Sequence, residues 1–201
     1  MNEASITTYC GLLEEIKYRT EAIQSLLAGQ LPVRAKIGEE LCYLQLRMIC
    51  ELIALGCLVI HGDLKPKAKL YRTYKADWII SELEKLHPQF YPTPLENEDD
   101  HSDAIPSWRH KKSGFLTRQD LSKLWNREAG SKLHRGSVKN ILAKDDNLSL
   151  STVKSWLEKV ISLLNRHIII SPDEKQIYYF VMQSKNSGSV DYNIFSLRSD
   201  R

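Results

Sequence analysis

The sequence predicts a mainly α-helical fold, a bundle of about five helices followed by a small β-hairpin or meander at the C-terminus. Three observations carry that expectation. Apolar residues recur at helical spacing through most of the chain up to residue 167, one segment at 33–60 is apolar on nearly every face, and β-prone runs gather only beyond residue 167.

The first helix is expected at 4–28, with Leu12, Leu13, Ile16, Ile23, Leu26 and Leu27 on its inner face and Gly29 as its stop. After a Leu31-Pro32 turn, a second helix at 33–60 carries Leu41, Leu44, Met48, Leu52, Leu55 and Val59, with Ile49, Ile53 and Cys57 on its other sides. A helix apolar all round belongs at the centre of a bundle. The third is expected at 67–86, burying Leu70, Tyr74, Trp78, Ile79, Leu83 and Leu86, and His87-Pro88 closes it.

Residues 87–114 hold several prolines and the acidic run Glu96, Glu98, Asp99, Asp100 and Asp103, the composition of a long connection or lid. Thr117 then looks like an N-cap, with Asp120 in capping-box position. Ser149 or Ser151 caps a last helix at 152–167, with Val153, Trp156, Leu157, Val160, Ile161 and Leu164 inward. Ile168–Ile170, Ile177–Met182 and Val190–Leu197 read as strands separated by turns. The division is therefore 1–95 for the N-terminal helices, 96–114 for a linker or lid, 115–167 for the C-terminal helices and 168–201 for a small β appendage.

Hydrophobic residues make up 42% of the chain and charged residues 26%, values of a chain that folds around a core. The net charge of +3 is too small to mark a nucleic-acid binder by bulk electrostatics. Its distribution is uneven, because Arg109, Lys111, Lys112, Arg118, Lys123, Arg127, Lys132, Arg135 and Lys139 crowd one stretch. Cys10, Cys42, Cys50 and Cys57 form no CxxC pair, and three lie in the apolar second helix, so buried free thiols and a reducing cytoplasm are expected. The longest uncharged apolar run, Leu52–Ile60, has nine residues, against the roughly 20 that span a bilayer, so no membrane segment is expected.

The segment Leu124-Trp125-Asn126-Arg127-Glu128-Ala129-Gly130-Ser131-Lys132-Leu133-His134-Arg135 holds the candidate chemistry. Arg127 and His134 are seven residues apart, which returns them to nearly one side of an α-helix about 10 Å apart along its axis. Histidine acts as acid or base near neutral pH, and arginine holds a phosphate bidentately while stabilising charge on its oxygens. Gly130, between them, weakens a helix at that point.

Arg127, six intervening residues and His134, with the polar Glu128 directly after the arginine, resemble the R-x(4-6)-H motif of the HEPN superfamily. The resemblance covers residues 4–167 and leaves the C-terminal strands unexplained. It implies an all-α bundle, metal-independent RNA cleavage by 2′-hydroxyl attack at a site shared between two protomers, and toxin, abortive-infection or phage-defence roles. On that basis Arg127, His134 and Glu128 are the candidate catalytic residues, and Lys132, Arg135 and Lys139 the candidate contacts to the nucleic-acid backbone. RNA is the expected partner, a homodimer the expected assembly, and no metal or cofactor is required.

Arg47 and Glu51, four apart on the apolar second helix, and His61 at its end have two readings. They are an intrahelical ion pair and a histidine favoured by the helix dipole, or they line the same cleft as a second layer around His134. For the whole chain, the alternative to a nuclease is a non-catalytic helical module, a regulator or antitoxin-like protein that binds a protein partner or nucleic acid. The remaining histidines show no ligand spacing, and Trp125 and Trp156 read as packing residues.

Overall fold

The computed structural model describes residues 3–64, 66–96, 109–133 and 149–196. Among the described residues there are five α-helices and four strands. Helix α1 spans Glu3–Leu27, α2 Ala35–Ile60, α3 Ala76–Leu86 and α5 Leu150–Leu164. Helix α4 is continuous but irregular: α-helical over Arg118–Lys123, a π-turn over Leu124–Glu128, and α-helical again over Ala129–Leu133. Strands β1 Thr93–Pro94, β2 Arg166–Ile170, β3 Gln176–Val181 and β4 Asp191–Ser196 form one antiparallel sheet in that order.

Helix α2 occupies the centre, packed against α1, α3, α4 and α5. By length and composition it could cross a membrane, yet 61% of its most apolar window is buried inside the protein. Cys42, Leu46, Ile49, Cys50, Ile53, Cys57 and Ile60 are enclosed, and its hydrophobic circumference is the reason: each face left open would hold apolar surface in water. All four cysteines are free thiols, three of them buried.

Local signals fix the helix ends. Gly29 adopts a left-handed φ of 68°, and Gln30 N–H donates to Ser25 O while Gly29 N–H donates to Leu26 O, which closes α1 with a Schellman motif. At the start of α4, Asp120 N–H donates to Thr117 Oγ1 at 3.1 Å and Thr117 N–H to Asp120 Oδ2 at 3.4 Å, the expected capping box. Ser149 is the N-cap of α5.

The third helix begins nine residues later than the periodicity suggested. Leu70 reaches the core from a 3₁₀ turn, Leu70–Arg72, and Thr73 then turns extended at φ −115°, ψ 152°. Tyr74, outside the helix, is 61% exposed instead of buried, and Leu86 at the last position of α3 is exposed as well. The connection after α3 is also more tied down than its composition implied. Pro94 and Thr93 pair with His167 and Ile168, Leu95 bridges to His110, and Glu96 N–H donates to Arg109 O at 2.8 Å. Glu96 and Arg109 are thus held together at the sheet edge.

The C-terminal strands share the main core. Ile169, Tyr178 and Phe180 face the bundle, and Tyr9 of α1 packs edge-on against Phe180 while its hydroxyl donates to His167 Nε2 at 2.8 Å. His167 Nδ1 lies 2.8 Å from Leu164 O, and a carbonyl only accepts. Nδ1 therefore carries the proton, leaving Nε2 bare to take the tyrosine's. Glu14 Oε1 accepts from Val190 N–H at 2.6 Å, a second tie between α1 and the sheet.

Gly56 lets α1 and α2 come close at this point, since a Cβ there would sit 2.9 Å from Tyr9 Cε2. Tyr9 cannot swing aside without losing His167. Gly56→Ala should lower stability by about 1–3 kcal/mol from overpacking, more than the helix-propensity gain of ~1 kcal/mol, and Gly56→Val should lower it further. Urea unfolding monitored by circular dichroism checks this; midpoints that do not fall in that order would contradict the close approach.

Candidate functional site

Helix α4 carries the candidate motif, and α2 determines where it sits. Trp125 Nε1–H donates to Glu51 Oε1 at 2.9 Å, Arg47 Nε approaches the same oxygen at 3.4 Å, and the Arg47 guanidinium stacks 4.9 Å above the Trp125 ring. The apolar central helix has few charges, and this pair is satisfied by the one polar atom that a tryptophan offers. Arg47 and Glu51 are thus an intrahelical ion pair that also seats the π-turn.

The π-turn closes with Ala129 N–H donating to Leu124 O. Such a turn contains one residue more than an α turn, so the angular step per residue is smaller within it. Leu124, Trp125 and Ala129 are all buried, while Asn126 and Arg127 are exposed. Beyond it the helix continues through Gly130 to Leu133, so the glycine does not interrupt it; open space surrounds the position of a Cβ there.

Nearer the N-terminus of α2, Glu39 is 5% exposed, and its Oε1 accepts from Lys132 Nζ at 3.1 Å and from Ser149 N–H at 2.8 Å. One oxygen atom therefore binds the end of α4 and the start of α5. Lys132, a candidate for contacts to a nucleic-acid backbone, has its ammonium directed to this buried acid. His134, Arg135 and Lys139 lie outside the described residues.

Between α4 and α5 runs a groove of about 280 Å³, lined by Lys123, Glu128, Ser151, Thr152, Ser155, Trp156 and Lys159. Glu128, the polar residue of the motif, pairs with Lys123 at 3.8 Å rather than with Arg127. Lys159 bonds Asp120 Oδ2 at 3.1 Å, and both lysines stand over the Trp156 ring, Lys159 at 4.9 Å and Lys123 at 5.8 Å. Arg118, at the start of α4, pairs with Glu84 at 2.7 Å. Arg127 is different: it is exposed and has no carboxylate partner among the described residues.

His61, the third residue expected around the site, is elsewhere. It follows Ile60, ten residues and about 15 Å along α2 from Glu51, and is fully buried against His87 and Phe90. Its Nδ1–H donates to Cys57 O at 2.9 Å. Burial pushes its pKa down to about 4, with the neighbouring His87 adding to the effect, and burial likewise pushes His167 down to about 4. Both are neutral core histidines at physiological pH. No group of three or more potential metal ligands occurs among the described residues.

Sequence reasoning missed the Glu39 clasp, and a signal for it existed. Glu39 lies at the start of the most apolar helix, where a carboxylate needs partners. Which partners it takes depends on chain segments 93 and 110 residues away. Comparisons with protein-family models, with curated proteins and with solved structures find no match for this chain.

Two predictions follow from these buried groups. Glu39→Ala leaves a partly buried N–H and an ammonium without their acceptor and should cost about 1–3 kcal/mol, whereas Lys132→Ala, which preserves the bond to Ser149, should cost less; urea midpoints that reverse this order would contradict the clasp. Secondly, His61 and His167 titrate near 6.5 when unfolded and near 4 when folded, so the unfolded chain binds up to two more protons between those limits. Their contribution is complete above pH 6.5, falls as pH drops towards 4, and changes no further below. Unfolding free energies measured from pH 7.5 to 4 check the slope, and a flat profile would show that the imidazoles are not buried neutral.

Proposed function

We propose that this chain is a metal-independent endoribonuclease of the HEPN type, with Arg127 binding the scissile phosphate and His134 transferring the proton. The observation that carries the reading is the isolation of Arg127. Of the four basic side chains on α4, Arg118, Lys123 and Lys132 each have a carboxylate partner, and Arg127 alone has none among the described residues. An exposed guanidinium on a helix fixed by two carboxylates of α2 is positioned to take a phosphate.

In this reading the 2′-hydroxyl of RNA attacks the adjacent phosphorus, the bond to the 5′-oxygen breaks, and imidazole accepts the first proton and returns one to the leaving oxygen. Two protomers would supply one histidine each to these two roles, so a homodimer is the expected assembly. A toxin or phage-defence role fits such an activity. Glu128, paired with Lys123, would shape the groove beside the phosphate.

A second reading, a non-catalytic module that binds nucleic acid or a protein, is favoured by a separate observation: the basic stretch Lys67–Lys75 exposes two tyrosines. Incubation of mixed RNA with the protein and excess chelator distinguishes them. Cleavage should occur, and Arg127→Ala and His134→Ala should each reduce it at least about 100-fold with unchanged circular dichroism. Undiminished cleavage by both variants, or no cleavage by the unaltered chain, would overturn the nuclease.

A further inference from the structure

The chain between Asp63 and Asp77 contains five basic residues, Lys65, Lys67, Lys69, Arg72 and Lys75, and no acidic one. Tyr71 and Tyr74 are interleaved with them. This stretch lies at the C-terminal end of α2, nine residues and about 14 Å beyond Glu51, away from the π-turn.

Its backbone is fixed. Leu70 is buried and Ala76 completely so, and Leu70 N–H donates to Lys67 O at 2.8 Å, Arg72 N–H to Lys69 O at 3.2 Å and Lys75 N–H to Thr73 Oγ1 at 3.2 Å. The side chains between these anchors point outward. Tyr71 is 56% exposed and Tyr74 61%, among the most exposed large side chains of the described residues. They are three positions apart, so their Cα atoms are at most about 11 Å apart.

The charges here differ from those on α4. Lys67 approaches Glu82 at 3.8 Å, and Glu82 is itself engaged by Lys85. Lys69 stands over the Trp78 ring at 5.7 Å, and among the described residues no carboxylate pairs with the side chains of Lys69, Arg72 or Lys75. Three cations without a carboxylate partner among the described residues, around two exposed aromatic rings on a backbone that need not be ordered on binding, combine the two requirements for holding a single strand: charge for the phosphates and flat faces for the bases.

We propose that Lys67–Lys75 is a docking platform for a single strand of nucleic acid, with bases stacking on Tyr71 and Tyr74 and Lys69, Arg72 and Lys75 contacting phosphates. An anionic lipid surface would also attract the cations, but membrane anchoring needs apolar side chains that insert, and Leu70, the only aliphatic residue of that size in the stretch, is buried. The platform stands whether or not Arg127 cleaves.

The test is fluorescence anisotropy of the full chain with a labelled 12-nucleotide oligouridylate in chelator, across a salt series. The unaltered protein should bind it, and should bind a duplex RNA of the same length more weakly. Tyr71→Ala and Tyr74→Ala should each weaken binding at least about fivefold, while Tyr71→Phe and Tyr74→Phe retain it. The triple variant Lys69→Gln, Arg72→Gln, Lys75→Gln should reduce the log–log salt slope by about 2. A 2′-deoxy strand of the same length, which lacks the attacking hydroxyl and cannot be cleaved by the proposed nuclease, should be bound alike, which separates this platform from the nuclease proposal.

Folded alanine variants that bind like the unaltered protein, or an unchanged slope in the triple variant, would overturn the platform. So would sedimentation with phosphatidylserine-containing vesicles in the absence of oligonucleotide binding.

Discussion

A helix that is hydrophobic around its whole circumference must be enclosed, and α2 imposes that requirement on the rest of the chain. Helices α1, α3, α4 and α5 all pack on it. Once it is enclosed, each polar atom it carries becomes a fixed point, because a buried carboxylate without partners costs more than the packing around it returns. Glu51 takes Trp125 and Arg47, and Glu39 takes Lys132 and the N–H of Ser149. These two acids, twelve residues apart on one helix, set where α4 lies and where α5 begins.

The same logic joins the sheet to the bundle. His167 has one nitrogen committed to Leu164 O and the other to the Tyr9 hydroxyl, and the neutral imidazole that its burial favours satisfies both, donating to the carbonyl and accepting from the tyrosine. Tyr9 in turn depends on Gly56 for space. A contact chain of three residues from α1, α2 and β2 therefore makes the strands part of the core.

Charge pairing then sorts the surface. Cations along α4 are held by acids of α2, α3 and α4 itself, which leaves Arg127 as the exception among the described residues, exposed on a π-turn whose buried Trp125 is held by Glu51. At the other end of α2, no carboxylate among the described residues pairs with Lys69, Arg72 or Lys75, and the aromatic residues between them are exposed. The two regions differ in what they offer. One presents an exposed arginine next in sequence to the groove residue Glu128, and the other presents several cations and two exposed aromatic rings.

The helical class, the central place of the 33–60 segment, the Gly29 stop, the Thr117–Asp120 cap, the free buried thiols and the three C-terminal strands were readable from the sequence, because each follows from periodicity or from residues within five positions of one another. Tertiary structure alone decided the late start of α3, where a 3₁₀ turn lets Leu70 reach the core and puts Tyr74 outside. It also decided the pairing of Thr93 and Pro94 with β2, the π-turn, and the seating of Lys132 on Glu39. Those outcomes depend on which distant atoms share one buried space, and spacing along the chain carries no record of that.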